Sequence, residues 1–329
     1  MRSWLRWRRL ERGPRERASS EPSSGDLARA ARILAVRSRR EATGLFAGSY
    51  ASAFRGGGVE FEESRPYVAG DDIRNLDWNA FARTGELFIK RFREERDECV
   101  LLAIDVSGSM RFGTTGRNKA ATAAQAAALI AAAAGGTGDR VGLLTFNESV
   151  QSEIRPSRGA AHTWRLIEAA SLAARSPQGG TRLEAGIEGL IGQARTRSIA
   201  ILLSDFRQAS DNDSILPGAA EAGRHSPLSK LAQRHALVSV ILHDPRDESL
   251  PRAGLLRVRD PEAGHSLLVN SNSARTRLRY RQAWTAHATT LERNLRSAGS
   301  DVLWMRTDRE PLQTLMRFFH RRSAHSRTT

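Results

Sequence analysis

From Glu98 onward, short apolar runs alternate with segments of helical spacing. The runs CVLLAID (99–105), RVGLLTF (140–146), SIAILLSD (198–205), ALVSVILHD (236–244) and DVLWMRT (301–307) read as strands, with a shorter one at SEIR (152–155). They are mostly continuous rather than alternating, which predicts strands covered on both faces. Helices fill the gaps. Among them is KAATAAQAAALIAAAA, whose small side chains favour close packing on a sheet and are too weakly hydrophobic for a bilayer span. Between the last two strands, LLRVRDPEAGHSLLV reads as a hairpin turning at Glu262, Ala263 and Gly264, followed by a long helix over 274–297. The alternation predicts an α/β fold: an open, mostly parallel sheet flanked by helices.

The pattern changes upstream. Leu27, Ala31, Leu34 and Ala35 recur at helical spacing, so a helix is expected over 27–40, ending before a Gly-rich stretch. Residues 59–98 then mix acids, arginines and the aromatics Phe61, Tyr67, Trp78, Phe81 and Phe88, with a turn at Ala69, Gly70, Asp71 and Asp72 and a strand at LFIKRF. Such interleaving suits either a salt-bridge lattice holding a small β-containing subdomain or a binding surface. Residues 11–26 lack apolar content and read as a linker. The expected organisation is a basic flexible tail and linker (1–26), an N-terminal helix and subdomain (27–98), the α/β domain with its inserted hairpin (99–321), and a flexible tail (322–329).

Composition changes this picture little. With 329 residues, 40% of them hydrophobic, the chain can bury a large core. Its charge of +15 invites a nucleic-acid or membrane partner, but residues 1–40 and 306–329 supply 12 of those charges, and 48 of the 51 cations are arginine. That bias, beside the abundant alanine, looks compositional, so nucleic-acid binding is not expected. Cys99 is the single cysteine and opens an apolar run, so no disulfide framework or thiolate cluster is available and a reducing cytoplasm fits. No apolar h-region follows MRSWLRWRRL, and no run of about 18 apolar residues occurs. Trp4, Leu5, Trp7 and Leu10 among arginines leave room only for weak contact with the inner face of a membrane.

Chemistry concentrates where the central strand ends. Asp105, Ser107 and Ser109 place an acid and two hydroxyls at alternate positions, where an open α/β sheet binds its ligands. Thr181, in a Gly-Gly-Thr loop before a helix, and Asp205, at the end of SIAILLSD, complete a shell. Carboxylate and hydroxyl oxygens without Cys or His describe a site for a hard cation such as magnesium.

DVSGS, Thr181 and Asp205 resemble the metal-ion-dependent adhesion site of von Willebrand factor A domains. The upstream segment GVEFEESRPYVAGDDIRNLDWNAFARTGELFIKRFREE, followed by DVSGSM and GDRVGLLTF, is similar to the bacterial domain of unknown function 58 family from about Gly44 to Arg321. The resemblance implies a von Willebrand A-like fold holding magnesium, or manganese or calcium in its place. Ser107, Ser109 and Thr181 would touch the metal, with Asp105 and Asp205 holding it directly or through water. One position would stay open for a Glu or Asp of another protein. Arg182 stands where an acid is common after the Thr, which leaves the site more positive. The resemblance also implies that Glu60, Glu63, Arg65, Asp71, Asp72, Arg74, Asp77, Trp78 and Arg83 form a family hallmark serving fold or docking, and that the partner is a MoxR-type AAA+ ATPase together with a client protein.

Catalytic readings fare worse. A phosphatase of the haloacid-dehalogenase type needs a second Asp two residues after the first, and Ser107 stands there. No phosphate-cradling GxxxxGK[ST] occurs, so no nucleotide is expected, and the histidines show no HExxH spacing and are assigned solvated or capping roles. Ser204 reads as a loop hydroxyl rather than a nucleophile. A non-catalytic, cytoplasmic interaction module is the expectation; a magnesium-dependent hydrolase, or a basic membrane or nucleic-acid adaptor, is the alternative.

Overall fold

The structure, a computed structural model, describes residues 45–54, 59–68, 71, 76–94, 98–207, 226–259 and 266–326. The helix expected over 27–40, the tail before it, Asp72, Arg74 and the hairpin turn at 262–264 lie outside the described residues. Six strands form the main sheet: β3 (Cys99–Asp105), β4 (Arg140–Phe146), β5 (Val150–Ser157), β6 (Ile199–Ser204), β7 (Ala236–His243) and β10 (Asp301–Arg306), ordered β10-β7-β6-β3-β4-β5. All neighbours run parallel except β5, which is antiparallel to β4 at one edge. The antiparallel edge strand is longer than the expected 152–155. Most of its side chains are exposed, so no apolar run marks its ends.

Alternation along β3 divides the core in two. Val100, Leu102 and Ile104 face one helical layer, while Cys99, Leu101 and Ala103 face the other. The first layer holds α1 (Leu45–Phe54), α3 (Lys119–Gly136), α4 (Ala160–Ala173) and α9 (Pro311–Ser326). The second holds α5 (Leu183–Gln193), α6 (Pro227–Arg234) and α8 (Ala274–Ser297). Helix α3 is almost wholly buried because its alanines let it lie close to its neighbours, and Asn118 caps it by accepting from Ala121 N at 2.8 Å.

One expected boundary falls inside a packed element. Helix α9 continues to Ser326, past residue 321, with the Arg322 guanidinium 4.7 Å from the centre of the Phe54 ring. An arginine-rich end looks flexible by charge, yet its stem covers aromatic surface. Helix α1 lies in the same cluster, where Phe46, Tyr50, Phe54 and Phe319 meet ring to ring.

Before β3 come β1 (Val59–Pro66), α2 (Trp78–Thr84) and β2 (Phe88–Glu94). β1 and β2 pair antiparallel, with a bulge between Phe61 and Glu63. Strands β8 (Leu255–Arg259) and β9 (Ser266–Asn270) form the inserted hairpin, on which Leu255, Leu267 and Leu268 are largely exposed. Among the described residues no helix is long and apolar enough to cross a membrane.

Of the histidines assigned solvated or capping roles, His235 is the C-cap of α6, and both it and His243 are buried. His235 Nδ1 accepts from Ser198 N at 3.2 Å, which requires the neutral ring. His243 packs among Trp284 and Trp304, with Nε2 3.0 Å from Glu248 Oε1. Burial is the main force pulling both below the usual 6.5. A depressed folded value means their contribution to stability is full above about pH 6.5 and is lost as pH falls through the folded values. The melting temperature is therefore expected to drop between pH 7 and pH 5, and less steeply in His235→Asn, whose amide oxygen keeps the acceptor without the titration. Equal slopes in calorimetric scans of the two proteins would remove His235 from this account.

Candidate metal centre

The strand order places β3 beside β6 where the winding of the sheet reverses, and both strands deliver carboxylates to the same end. Asp105 ends β3 and is wholly buried. One of its oxygens accepts from Ser107 N at 2.9 Å and the other from Ser204 Oγ at 2.6 Å. Ser107 Oγ lies 3.2 Å from Ser109 Oγ, and Ser109 Oγ donates to Asp205 Oδ1 at 3.1 Å. Asp105, Ser107, Ser109 and Asp205 thus form one buried cluster. The loop of Thr181 is tied to it by Gly108 N donating to Gly179 O at 2.9 Å, and Thr181 is itself buried just before α5.

Burial, and after it the neighbouring Asp205 carboxylate, push the Asp105 acid up to about 7 against the hydrogen bonds from Ser204 and Ser107. Asp205 is followed by Phe206 at φ 54°, the one non-glycine residue with a left-handed backbone among the described residues. Strain of this kind persists only where surrounding contacts enforce it, and here Phe206 is buried and its N–H donates to Ser204 Oγ at 2.9 Å.

Several residues the sequence reading did not assign complete the centre. Lys119 Nζ reaches Asp205 Oδ2 at 2.9 Å and Asp247 Oδ2 at 3.0 Å, and Arg207 holds the other Asp247 oxygen at 3.1 Å. Asp247 belongs to the short helix α7 (Pro245–Glu248), whose capping box it closes with Asp244. Ser204, read as a loop hydroxyl, is fully buried and orients Asp105. The positive charge reaching the cluster comes from Lys119, whereas Arg182 is exposed.

The donor set fits a hard dication. The Asp105 and Asp205 carboxylates meet the Ser107 and Ser109 hydroxyls without nitrogen or sulfur ligands, while Lys119 and Arg207 compensate Asp205 and Asp247. Among the described residues no group of three acids or histidines is placed to hold a metal, so the hydroxyls would have to supply ligands.

Of the hallmark residues, Arg65, Asp71 and Asp77 make structural contacts. Arg65 clasps Asp71 through both nitrogens at 2.8 and 2.7 Å, and these bonds hold Asp71 below the ordinary carboxylate range. Asp77 caps α2 by accepting from Asn79 N and Ala80 N, both at 3.1 Å. Trp78 is 64% exposed, edge-on to Phe81, and Arg83 is exposed in the last turn of α2. Register sets Glu60 opposite Arg93 and Glu63 opposite Arg91.

A doubly wound sheet with one antiparallel edge strand and an Asp-x-Ser-x-Ser turn at its switch point defines a von Willebrand factor A-like domain. Residues 63–290 match the family described as protein of unknown function DUF58, and the chain belongs to that family. It is 30% identical over 295 residues to uncharacterized proteins of Mycobacterium tuberculosis and Mycobacterium bovis, covering 89% of this chain and 88% of theirs. A shorter Mycobacterium avium protein is 28% identical over 165 residues, which is 50% of this chain and 90% of that one. Among solved structures, BatB of Bacteroides thetaiotaomicron is similar with a TM-score of 0.44 at 13% identity, over 70% of this chain and 100% of that one. The VWA domain of SpRpn10 gives a TM-score of 0.35 at 14% identity, over 66% and 93%.

Proposed function

We propose that the protein is a non-catalytic interaction module that holds magnesium at Asp105, Ser107, Ser109, Thr181 and Asp205 and uses it to clamp an acidic residue of a partner. The observation that carries this reading is the buried cluster in which the Asp105 and Asp205 carboxylates meet the Ser107 and Ser109 hydroxyls; burial and then the Asp205 charge make Asp105 a weaker acid, a penalty a dication would relieve. Bound there, the ion would supply an electrophile for a carboxylate oxygen. The second acid that a phosphatase would need is Ser107, which is engaged with Ser109.

A surface for a partner is also available. Leu255, Leu267 and Leu268 of the β8–β9 hairpin are largely exposed, apolar surface of the kind a partner would cover. The partner proposed is a MoxR-type AAA+ ATPase acting with a client protein, with the cytoplasm as the place of action.

Calorimetric titration of the full chain with magnesium should give saturable binding that Thr181→Ala weakens by roughly tenfold or more, the loss of one ligand. Capture of a co-expressed MoxR-type ATPase should be lost in chelator. Absence of saturable binding at millimolar magnesium would overturn the metal; capture that persists in chelator would move the docking surface away from it.

A further inference from the structure

The side chain of Lys119 is 1% exposed, and its ammonium is shared between the carboxylates of Asp205 and Asp247, themselves 1% and 5% exposed. The ring of Phe112 lies 5.6 Å from Nζ, and the backbone N–H of Lys119 donates to Phe112 O at 3.0 Å. A lysine this deep persists only where its charge is compensated, and these two acids do so. Asp247 is in turn held by Asp244 N at 2.8 Å and by Arg207, so the position of the ammonium is fixed from both sides. Of 51 basic residues only three are lysines, and one of these fills this buried position. A compact ammonium fits between two carboxylate oxygens where a planar, five-donor guanidinium would not.

We infer that Lys119 is a built-in cation that tunes the candidate metal centre: it occupies one oxygen of Asp205, keeps the cluster assembled without a dication, and weakens metal binding. This rests on the magnesium reading above. The physics is competition for one negative charge. Asp205 Oδ2 is engaged by Lys119 and Oδ1 by Ser109 Oγ and, at 3.3 Å, by Arg207 N, so an arriving dication meets a carboxylate already neutralised by a neighbour. Asp247 moderates this by taking part of the lysine's charge. Its removal should make the same ammonium more repulsive.

Lys119 and its partner Asp247 give the inference opposite signs to test. Magnesium titration by calorimetry on the full chain is expected to show Lys119→Met, a side chain of similar length without the charge, binding roughly tenfold more tightly than the natural protein. Lys119→Met should also melt lower than the natural protein in chelator and recover more on adding magnesium, since the metal replaces the missing cation. Asp247→Asn should bind magnesium several-fold more weakly, and that weakening should shrink in the Lys119→Met background, the signature of two residues acting through one another. A folded Lys119→Met protein whose affinity is unchanged or weaker overturns the inference and leaves the metal reading standing. If neither the natural protein nor the variants bind magnesium, both fall. Should Lys119→Met fail to fold, Asp247→Asn decides alone, and unchanged or tighter binding there overturns the inference.

Discussion

Asp105→Asn is expected to abolish magnesium binding and, in chelator at pH 8, to raise the melting temperature by roughly 3 to 8 °C. The two effects share one cause. Asp105 is wholly buried beside Asp205, and its acid is pushed up to about 7 by burial and then by that neighbour. A raised folded value means that the group's contribution to stability is full below its unfolded value near 3.8 and is lost as pH rises through about 7. Above that, the metal-free protein holds an unfavourable charge. Asparagine keeps an oxygen for Ser107 N and presents an amide to Ser204 Oγ, so the shape is preserved while the repulsion disappears. Calorimetric scans with chelator and with magnesium, at pH 5.5 and pH 8, separate the effects. The gain should shrink at pH 5.5, and the magnesium-dependent rise of the natural protein should be absent. A variant that melts lower than the natural protein at pH 8 in chelator would contradict the account.

Asp244→Ala should be the most damaging single change at this end of the sheet, at about 3 to 5 kcal/mol. Asp244 follows β7 and is fully buried. Its carboxylate accepts from Thr114 N at 2.9 Å, Thr114 Oγ1 at 2.6 Å, Arg246 N at 2.9 Å and Thr307 Oγ1 at 2.7 Å. Burial alone would raise this acid, but those bonds prevail and hold it below the usual range. Alanine would strand donors from three segments: the loop after β3, the start of α7 and the end of β10. The loop has little room to adjust, because Gly113 sits where a Cβ would lie 2.3 Å from Arg117 O. Thermal unfolding should show a fall of about 10 °C or more, with Asp244→Asn intermediate. A fall of less than roughly 2 °C would mean that the loop is held by other contacts.

The sheet was legible because its central strands are buried on both faces. CVLLAID and RVGLLTF match β3 and β4 residue for residue, since a continuous apolar run admits one reading there. Strand β5 was only partly legible, because an exposed edge with Pro156 carries no such run. The cluster of Asp105, Ser107 and Ser109 could be read because its members are adjacent in sequence at the end of a strand. Lys119 could not. It opens an alanine-rich helix, where a lysine ordinarily reaches solvent, and its partners lie 86 residues away at Asp205 and further still at Asp247. The signal that could have exposed it is the scarcity of lysine in an arginine-rich chain. Asp244 and Ser204 were hidden for a related reason: a polar residue at a strand end looks like the start of a loop until the topology brings its donors together.

The packing of α1 against α9 changes what the segment between α1 and β3 is. Because Phe46, Tyr50 and Phe54 share a cluster with Phe319, the main domain begins before the β1–β2 hairpin and resumes after it. The hairpin and α2 are therefore an excursion from a single domain, anchored at both ends, and not an appendage that could be trimmed away. A fragment starting at Cys99 would lose one wall of its own core and bare the aromatic face of its last helix to water.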